Sequence, residues 1–192
     1  MLFAIAAPSG TGKTSIVKEV VKQNPDLIFS VSAATREKRA EEIDGVDYYF
    51  INEKDFLEKV KQGEFIEYEN VFGNDYYGTL KSVVNGYINN KLNVIFDLDV
   101  NGAISLKNVY KDFIVLIFIK PPDKQSVIDR LKNRGTESEE QIAKRLKRFD
   151  LEMSKINEFD YIVINDNLYD AVRNVNSLIQ KFKNKESKKY KE

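Results

Sequence analysis

Apolar residues along this chain fall into short, dense blocks, and between the blocks apolar positions recur three and four apart. The blocks at 2–6, 27–32, 93–97, 113–119 and 161–164 are rich in β-branched and aromatic residues and sit between turn-forming residues, so they predict strands. The stretches between them predict helices. Ile16, Val17, Val20 and Val21 share one helical face, and further helices are expected over about 80–89, after 102, over 123–133, over 138–156 and from 167. The first helix should end at Asn24, because Pro25 disfavours helical backbone in the residue before it. Blocks that are apolar throughout imply burial on both faces, as in a parallel sheet. The most apolar block, 113–119, is expected at its centre. Strands alternating with helices give an α/β fold, with a mostly parallel central sheet in a three-layer arrangement.

The pattern changes between 33 and 79. Residues 33–47 are polar and charged; 48–51 are aromatic and β-branched and predict a strand. Asn52 is placed to cap a short amphipathic helix carrying Phe56, Leu57 and Val60, which should end at Gly63. Residues 64–68 alternate charged and apolar, and a turn at Gly73-Asn74-Asp75 leads into Tyr76-Tyr77-Gly78-Thr79. Short strands around one helix predict a small α+β insert at 33–79, set in a core made of 1–32, 80–122 and 150–192. Residues 123–149 form a further segment of two helices separated at Gly135-Thr136.

Composition narrows the function. A chain of 192 residues suits one globular core with a small insertion. Thirty basic and thirty acidic residues balance, which argues against a broad nucleic-acid surface. The absence of cysteine excludes disulfides and thiolate metal sites and fits a reducing cytoplasm. The absence of histidine removes His-based triads, His-ligated zinc and a His general base. Phosphoryl transfer survives these exclusions, because it depends on positioning and charge neutralisation. The first apolar run is too short for a signal peptide and has no basic flank, and no run approaches membrane-spanning length. The Lys-rich residues 181–192 read as a helix end.

Between the first strand and the first helix stands Ala7-Pro8-Ser9-Gly10-Thr11-Gly12-Lys13-Thr14, followed by Ser15. A strand, a Gly-rich turn, Lys-Thr and a helix, in that order, are the context of a phosphate-binding P-loop. Small residues let successive backbone N–H groups curl around phosphate oxygens, and the helix directs its positive end at the same anion. Lys13 would reach the β- and γ-phosphates, and the Thr14 hydroxyl would ligate Mg²⁺. Ala7 stands where the GxxxxGK[ST] pattern has Gly; a positive φ there would be costly for alanine. Ser32, Asp97, Asp99, Asn165 and Asp166 fall at the carboxyl ends of predicted strands, where sites in α/β sheets gather.

A P-loop specifies a nucleotide, not a reaction. The insert adds Arg36 and Arg39, planar forks suited to phosphate, with paired tyrosines and the carboxylates Glu42 and Glu67. Here the chain resembles the guanylate kinase family. Ser32-Ala33-Ala34-Thr35-Arg36-Glu37-Lys38-Arg39 is similar to that family's S-x-x-T-R-x-x-R, followed by Glu42, Gly45, Asp47 and Tyr48. Glu64-Phe65-Ile66-Glu67, Tyr77-Gly78-Thr79 and Asp97-Leu98-Asp99-Val100-Asn101-Gly102 resemble its next motifs, with Asn101 in place of Gln. Arg134-Gly135-Thr136-Glu137 and Arg145-Leu146 look like its lid, which would make 123–149 a helical lid, and Val163-Ile164-Asn165-Asp166 looks like its adenine-side loop.

The resemblance implies a P-loop nucleoside monophosphate kinase that passes the γ-phosphoryl group of ATP to GMP, and to dGMP, in the cytoplasm. Arg36, Arg39, Tyr48 and Tyr77 would hold the GMP phosphate beside Glu42. Glu67 and Asp99 would face guanine, with Ser32 and Thr79 as hydroxyl partners. Residues 7–15 would hold ATP and Asn165 would contact adenine. Thr14 would bind Mg²⁺ with Asp97, which also borders the GMP side, acting through water. Lys13, Arg36, Arg134 and Arg145 would be the catalytic cations. Guanine suits two carboxylates, because its N1–H and 2-amino groups are donors, whereas N1 of adenine is an acceptor. Ala33 and Ala34 stand where the family commonly has hydroxyls, which predicts a missing phosphate-side hydrogen bond, and Glu41 replaces a usual Gly. The alternatives are a noncatalytic guanylate-kinase-like module for phosphorylated partners and a P-loop kinase for another metabolite. The chain is expected to act as a monomer or homodimer, without nucleic acid or membrane.

Overall fold

The computed structural model describes residues 1–71, 75–133 and 139–189. Its first elements are β1 (Leu2–Ala6), α1 (Lys13–Gln23), β2 (Leu27–Phe29), β3 (Ala33–Ala34), β4 (Tyr49–Phe50), α2 (Glu53–Lys61), β5 (Phe65–Val71) and β6 (Asp75–Leu80). They are followed by α3 (Lys81–Asn89), β7 (Asn93–Leu98), α4 (Val100–Tyr110), β8 (Ile114–Lys120), α5 (Lys124–Asn133), α6 (Glu139–Met153), β9 (Tyr161–Ile164) and α7 (Leu168–Lys189).

Successive side chains leave a strand on opposite faces, and β1 shows the consequence. Phe3 and Ile5 enter one layer, while Leu2, Ala4 and Ala6 enter the other. β7 and β8 flank β1 and repeat the division. Ile95, Val115 and Ile117 join the first layer, and Val94, Phe96, Leu116 and Phe118 the second. Helices α1 and α7 close the first layer through Ile16, Val17, Val20, Val172 and Val175; α3 and α4 close the second through Val84, Val100, Ala103 and Leu106. Fully burying a side chain of this size contributes about 1.5–3 kcal/mol. The result is the expected three-layer α/β core.

The sheet order is β2-β7-β1-β8-β9 and every pairing is parallel. The central strand is therefore β1, and the more apolar β8 lies beside it. Apolar content reports burial on both faces, which both strands share, and not rank within the sheet. β2 is shorter than its apolar block: it is an edge strand that ends at Phe29, with Ile28 and Phe29 partly exposed.

The chain then crosses to a second sheet of order β4-β3-β6-β5, in which only β3 and β4 run parallel. Helix α2 covers it. The Asn52 side chain accepts the Asp55 N–H at 2.8 Å to start this helix, and Gly63, at φ 67°, follows its end. The fully buried Phe56 of α2 stacks on Phe65 with ring centroids 4.2 Å apart. Ala33 and Ala34 are fully buried, Ala33 in the same cluster, so their small size suits the packing there.

Helices α5 and α6 pack together through Val127, Leu131, Ile142 and Phe149. The turn residues Gly73 and Asn74, and Arg134, Gly135 and Thr136 between α5 and α6, lie outside the described residues. Among the described residues no helix is long and apolar enough to cross a membrane.

Candidate active site

Residues 7–15 line a cavity of about 230 Å³ at the carboxyl end of β1. Gly10 and Gly12 adopt left-handed backbone, with φ of 85° and 88°, whereas Ala7 does not, so alanine there carries no backbone strain. A Cβ on Gly12 would lie 2.8 Å from Asn165 Nδ2, and one on Gly10 would press on Val127 and Leu131. No side chain caps α1, which leaves its first N–H groups for an anion.

Asp97, at the end of the neighbouring β7, forms an ion pair with Lys13 and accepts the Thr14 hydroxyl at 3.1 Å. Burial lowers the Lys13 pKa to about 8, while Asp99 and Glu152 pull it upward. Asp97, expected to serve the metal and to border the acceptor side, thus sits with the donor loop.

The loop is gripped from behind. Thr11, almost fully buried, donates its hydroxyl to the Pro8 carbonyl at 2.8 Å. Its own carbonyl accepts from Asn165 Nδ2 at 2.6 Å and from Arg130 Nη1 at 3.1 Å, and Arg130 Nη2 reaches the Asn165 carbonyl at 3.2 Å. Asn165, expected at the adenine, is buried and directs its amide at the loop.

A second cluster forms on the small sheet and the segment between β3 and β4. Arg36 makes two parallel hydrogen bonds to Glu42, at 2.6 and 2.5 Å, and lies over the Tyr48 ring at 5.0 Å. Tyr48 meets Tyr77 edge-on at 5.7 Å, and the Arg39 N–H donates to Glu42 at 2.9 Å. The Arg36 hydrogen bonds lower the Glu42 pKa to about 2, and the pairing raises that of Arg36. One anion, Glu42, therefore holds both the Arg36 fork and the Arg39 backbone N–H. Ser32, whose carbonyl accepts the Tyr49 N–H at 2.9 Å, stands where the chain enters this sheet.

Two carboxylates meet at the other end of the sheet. Glu67 on β5 accepts the buried Thr79 hydroxyl at 2.6 Å. Asp99 caps α4 by accepting the Gly102 N–H at 2.7 Å. A Cβ on Gly102 would stand 2.9 Å from Asp99 Oδ1 and 3.2 Å from Glu67 Oε2, so glycine is what lets both approach the helix start. Burial raises the Glu67 pKa to about 7, and the charges of Asp99 and Glu69 push the same way. Glu67, Glu69, Asp99, Asn101 and Gly102 line a cavity of about 320 Å³.

A third cavity, of about 340 Å³, joins the two halves: Ser9 and Lys13 of the loop line it with Asp99, and α6 contributes Arg145, Arg148 and Glu152. Arg145 donates to the Ser9 hydroxyl at 2.6 Å. Such an arrangement can hold two anionic ligands end to end between fixed cations. Arg134, the other expected lid cation, lies outside the described residues. Sequence reasoning passed over Arg130, Arg148 and Glu152. Arg130 and Arg148 look like solvated charges on Lys/Arg-rich helices, and nothing in their spacing marks which faces a backbone carbonyl or a carboxylate.

With this geometry in view, comparison with known proteins is specific. A family model described as Guanylate kinase matches residues 2–182. The chain is 47% identical over 179 residues to a guanylate kinase of Thermotoga maritima, covering 93% of this chain and 86% of that protein. It is 44% identical over 181 residues to one from Chlorobaculum tepidum, covering 94% and 92%. In fold it is similar to the crystal structure of guanylate kinase from Anaplasma phagocytophilum, with a TM-score of 0.72 at 24% identity, over 94% of this chain and 84% of that one.

Proposed function

The chain belongs to the guanylate kinase family, and on that premise we propose how its residues carry the transfer of the ATP γ-phosphoryl group to GMP, which yields ADP and GDP. Residues 7–15 hold the ATP phosphates through their amides and the start of α1, with Lys13 on the β- and γ-phosphates. The Thr14 hydroxyl and Asp97 carboxylate meet at 3.1 Å, a hard-oxygen pair of the kind that would hold Mg²⁺, with Thr14 as the ligand and Asp97 as its partner. When bound, Mg²⁺ neutralises charge on the phosphates. Asn165 and Arg130 position the loop through Thr11, and Asn165 stands on the adenine side.

Arg36, Arg39, Tyr48 and Tyr77 hold the GMP phosphate, and Glu42 fixes the Arg36 fork. Glu67 and Asp99 accept the N1–H and 2-amino groups of guanine, with Thr79 orienting Glu67 and Ser32 adding a hydroxyl nearby. Arg145, with Arg134 from the same lid, neutralises the oxygens of the migrating group. No general base is needed, because an oxygen of the GMP phosphate is already a nucleophile. Recognition rests on base and phosphate, so dGMP is an acceptor too. This activity serves purine nucleotide metabolism, and a chain without cysteine suits the cytoplasm. The noncatalytic alternative is not favoured, since Lys13, Thr14 and Arg145 all stand ready at the donor loop.

The observation that carries the reading is the cavity shared by Lys13, Arg145 and Asp99, in which donor and acceptor groups face one space. Calorimetric titration of the nucleotide-free protein with GMP and with AMP at pH 8 tests its acceptor half. Two unpaired acceptors at ~1–3 kcal/mol each predict that GMP binds at least about 30-fold more tightly. Equal affinities would overturn the guanine assignment.

A further inference from the structure

Arg148 on α6 uses its three guanidinium nitrogens on three different carboxylates. Nη1 reaches Glu69 of β5 at 2.7 Å, Nη2 reaches Asp99 at the start of α4 at 2.9 Å, and Nε reaches Glu152 on its own helix at 2.7 Å. The second sheet, the core and the lid helix thus converge on one side chain. Asp99 is occupied on both oxygens, Oδ1 by the Gly102 N–H and Oδ2 by Arg148. Its carboxylate plane is therefore set before any base arrives, and each oxygen keeps a second lone pair.

We propose that Arg148 is a positioning residue for the acceptor site: it fixes Asp99 for guanine and straps the second sheet to the lid helix. The proposal rests on the reading of that site as the GMP site. Two consequences of the geometry give it a direction. First, Glu67, Glu69, Asp99 and Glu152 lie around adjoining cavities, and Arg148 neutralises three of them. Without it, an anionic acceptor meets a more negative site. Second, a planar fork bridging three elements holds them at one separation, whereas a lysine ammonium cannot span all three. Loss of Arg148 therefore weakens GMP binding on both counts. The phosphoryl-transfer groups at the loop are untouched.

The chain has no cysteine, so cysteines introduced by Lys54→Cys on α2 and Ala143→Cys on α6, both at exposed positions, take a fluorophore pair without competition. In this labelled parent and its Arg148→Ala and Arg148→Lys derivatives, two quantities are read: the inter-dye distance without nucleotide, and the KM values and kcat with ATP and Mg²⁺. Arg148→Ala is expected to lengthen and broaden the distance distribution and to raise KM for GMP at least tenfold, with kcat within about threefold of the parent. Arg148→Lys should recover part of the KM effect, through charge, and little of the distance. An unchanged distance in Arg148→Ala, or a KM for GMP within twofold of the parent, overturns the strap. Failure of the underlying reading looks different, since the unsubstituted protein would then show no GMP-dependent ADP formation.

Discussion

In the proposed reaction Lys13 is the residue on which the donor half turns. It begins α1, pairs with Asp97 and lines both the loop cavity and the shared one. Lys13→Ala should lower kcat by two or more orders of magnitude while circular dichroism and the unfolding midpoint stay close to those of the parent. Near-normal turnover would mean that the phosphate roles are wrongly assigned. Its pKa of about 8 in the free protein adds a pH signature. As pH rises through that value the cation is lost, so ATP affinity measured by titration should fall above pH 8, by up to tenfold per unit.

Glu67 behaves in the opposite sense. Its folded pKa of about 7 lies above the ordinary 4.5, so between those values the unfolded chain ionises while the folded one keeps its proton. Stability is therefore lost as pH rises from about 4.5 to 7, by up to about 3 kcal/mol. Glu67→Gln should remove that loss and raise the denaturation midpoint at pH 8 while weakening GMP binding. Unchanged pH dependence would show that Glu67 ionises freely. Lys13 and Thr14 were legible in sequence because the motif fixes their order. Glu67 alone reads as the wet face of a strand, and Arg145 as one helix charge among several; the family resemblance singled them out.

At the scale of elements, the loop between β1 and α1 is held by parts far along the chain. Gly12 needs its left-handed backbone and also the missing Cβ, because the Asn165 amide occupies that space. Gly12→Ala is expected to cost about 1–3 kcal/mol for backbone strain alone, and to raise KM for ATP by displacing Asn165 from Thr11. Denaturant unfolding and donor kinetics check the two parts separately. The strand-loop-helix order was plain from hydrophobic spacing. The grip by Asn165 and Arg130 was not, because their partners are backbone carbonyls, which carry no mark in a sequence. The placing of β8 at the sheet centre failed for a related reason: two-sided burial is shared by β1, β7 and β8, and sequence does not order strands that share it.

At the scale of the molecule, the proposed function has two sheets divide the labour, the parallel one carrying the donor loop and the small one carrying most of the acceptor groups. Each has its own apolar cluster, the second centred on Phe56 and Phe65. Phe56→Ala is therefore expected to cost about 3–5 kcal/mol and to weaken GMP binding far more than ATP binding; equal loss of both would deny the division. The alternation of strands and helices made the parallel α/β core readable in the sequence. How the halves meet was not readable, since it depends on the Arg148 and Glu152 faces of α6.

The central claim is that these halves form one two-nucleotide site that passes a phosphoryl group to a guanine nucleotide. The most direct measurement is ADP formation from ATP and Mg²⁺ with GMP, dGMP, AMP, CMP or UMP as the acceptor. The account predicts rapid turnover with GMP, measurable turnover with dGMP and little above background with the others. No ADP with any acceptor, or a preference for AMP, would contradict it.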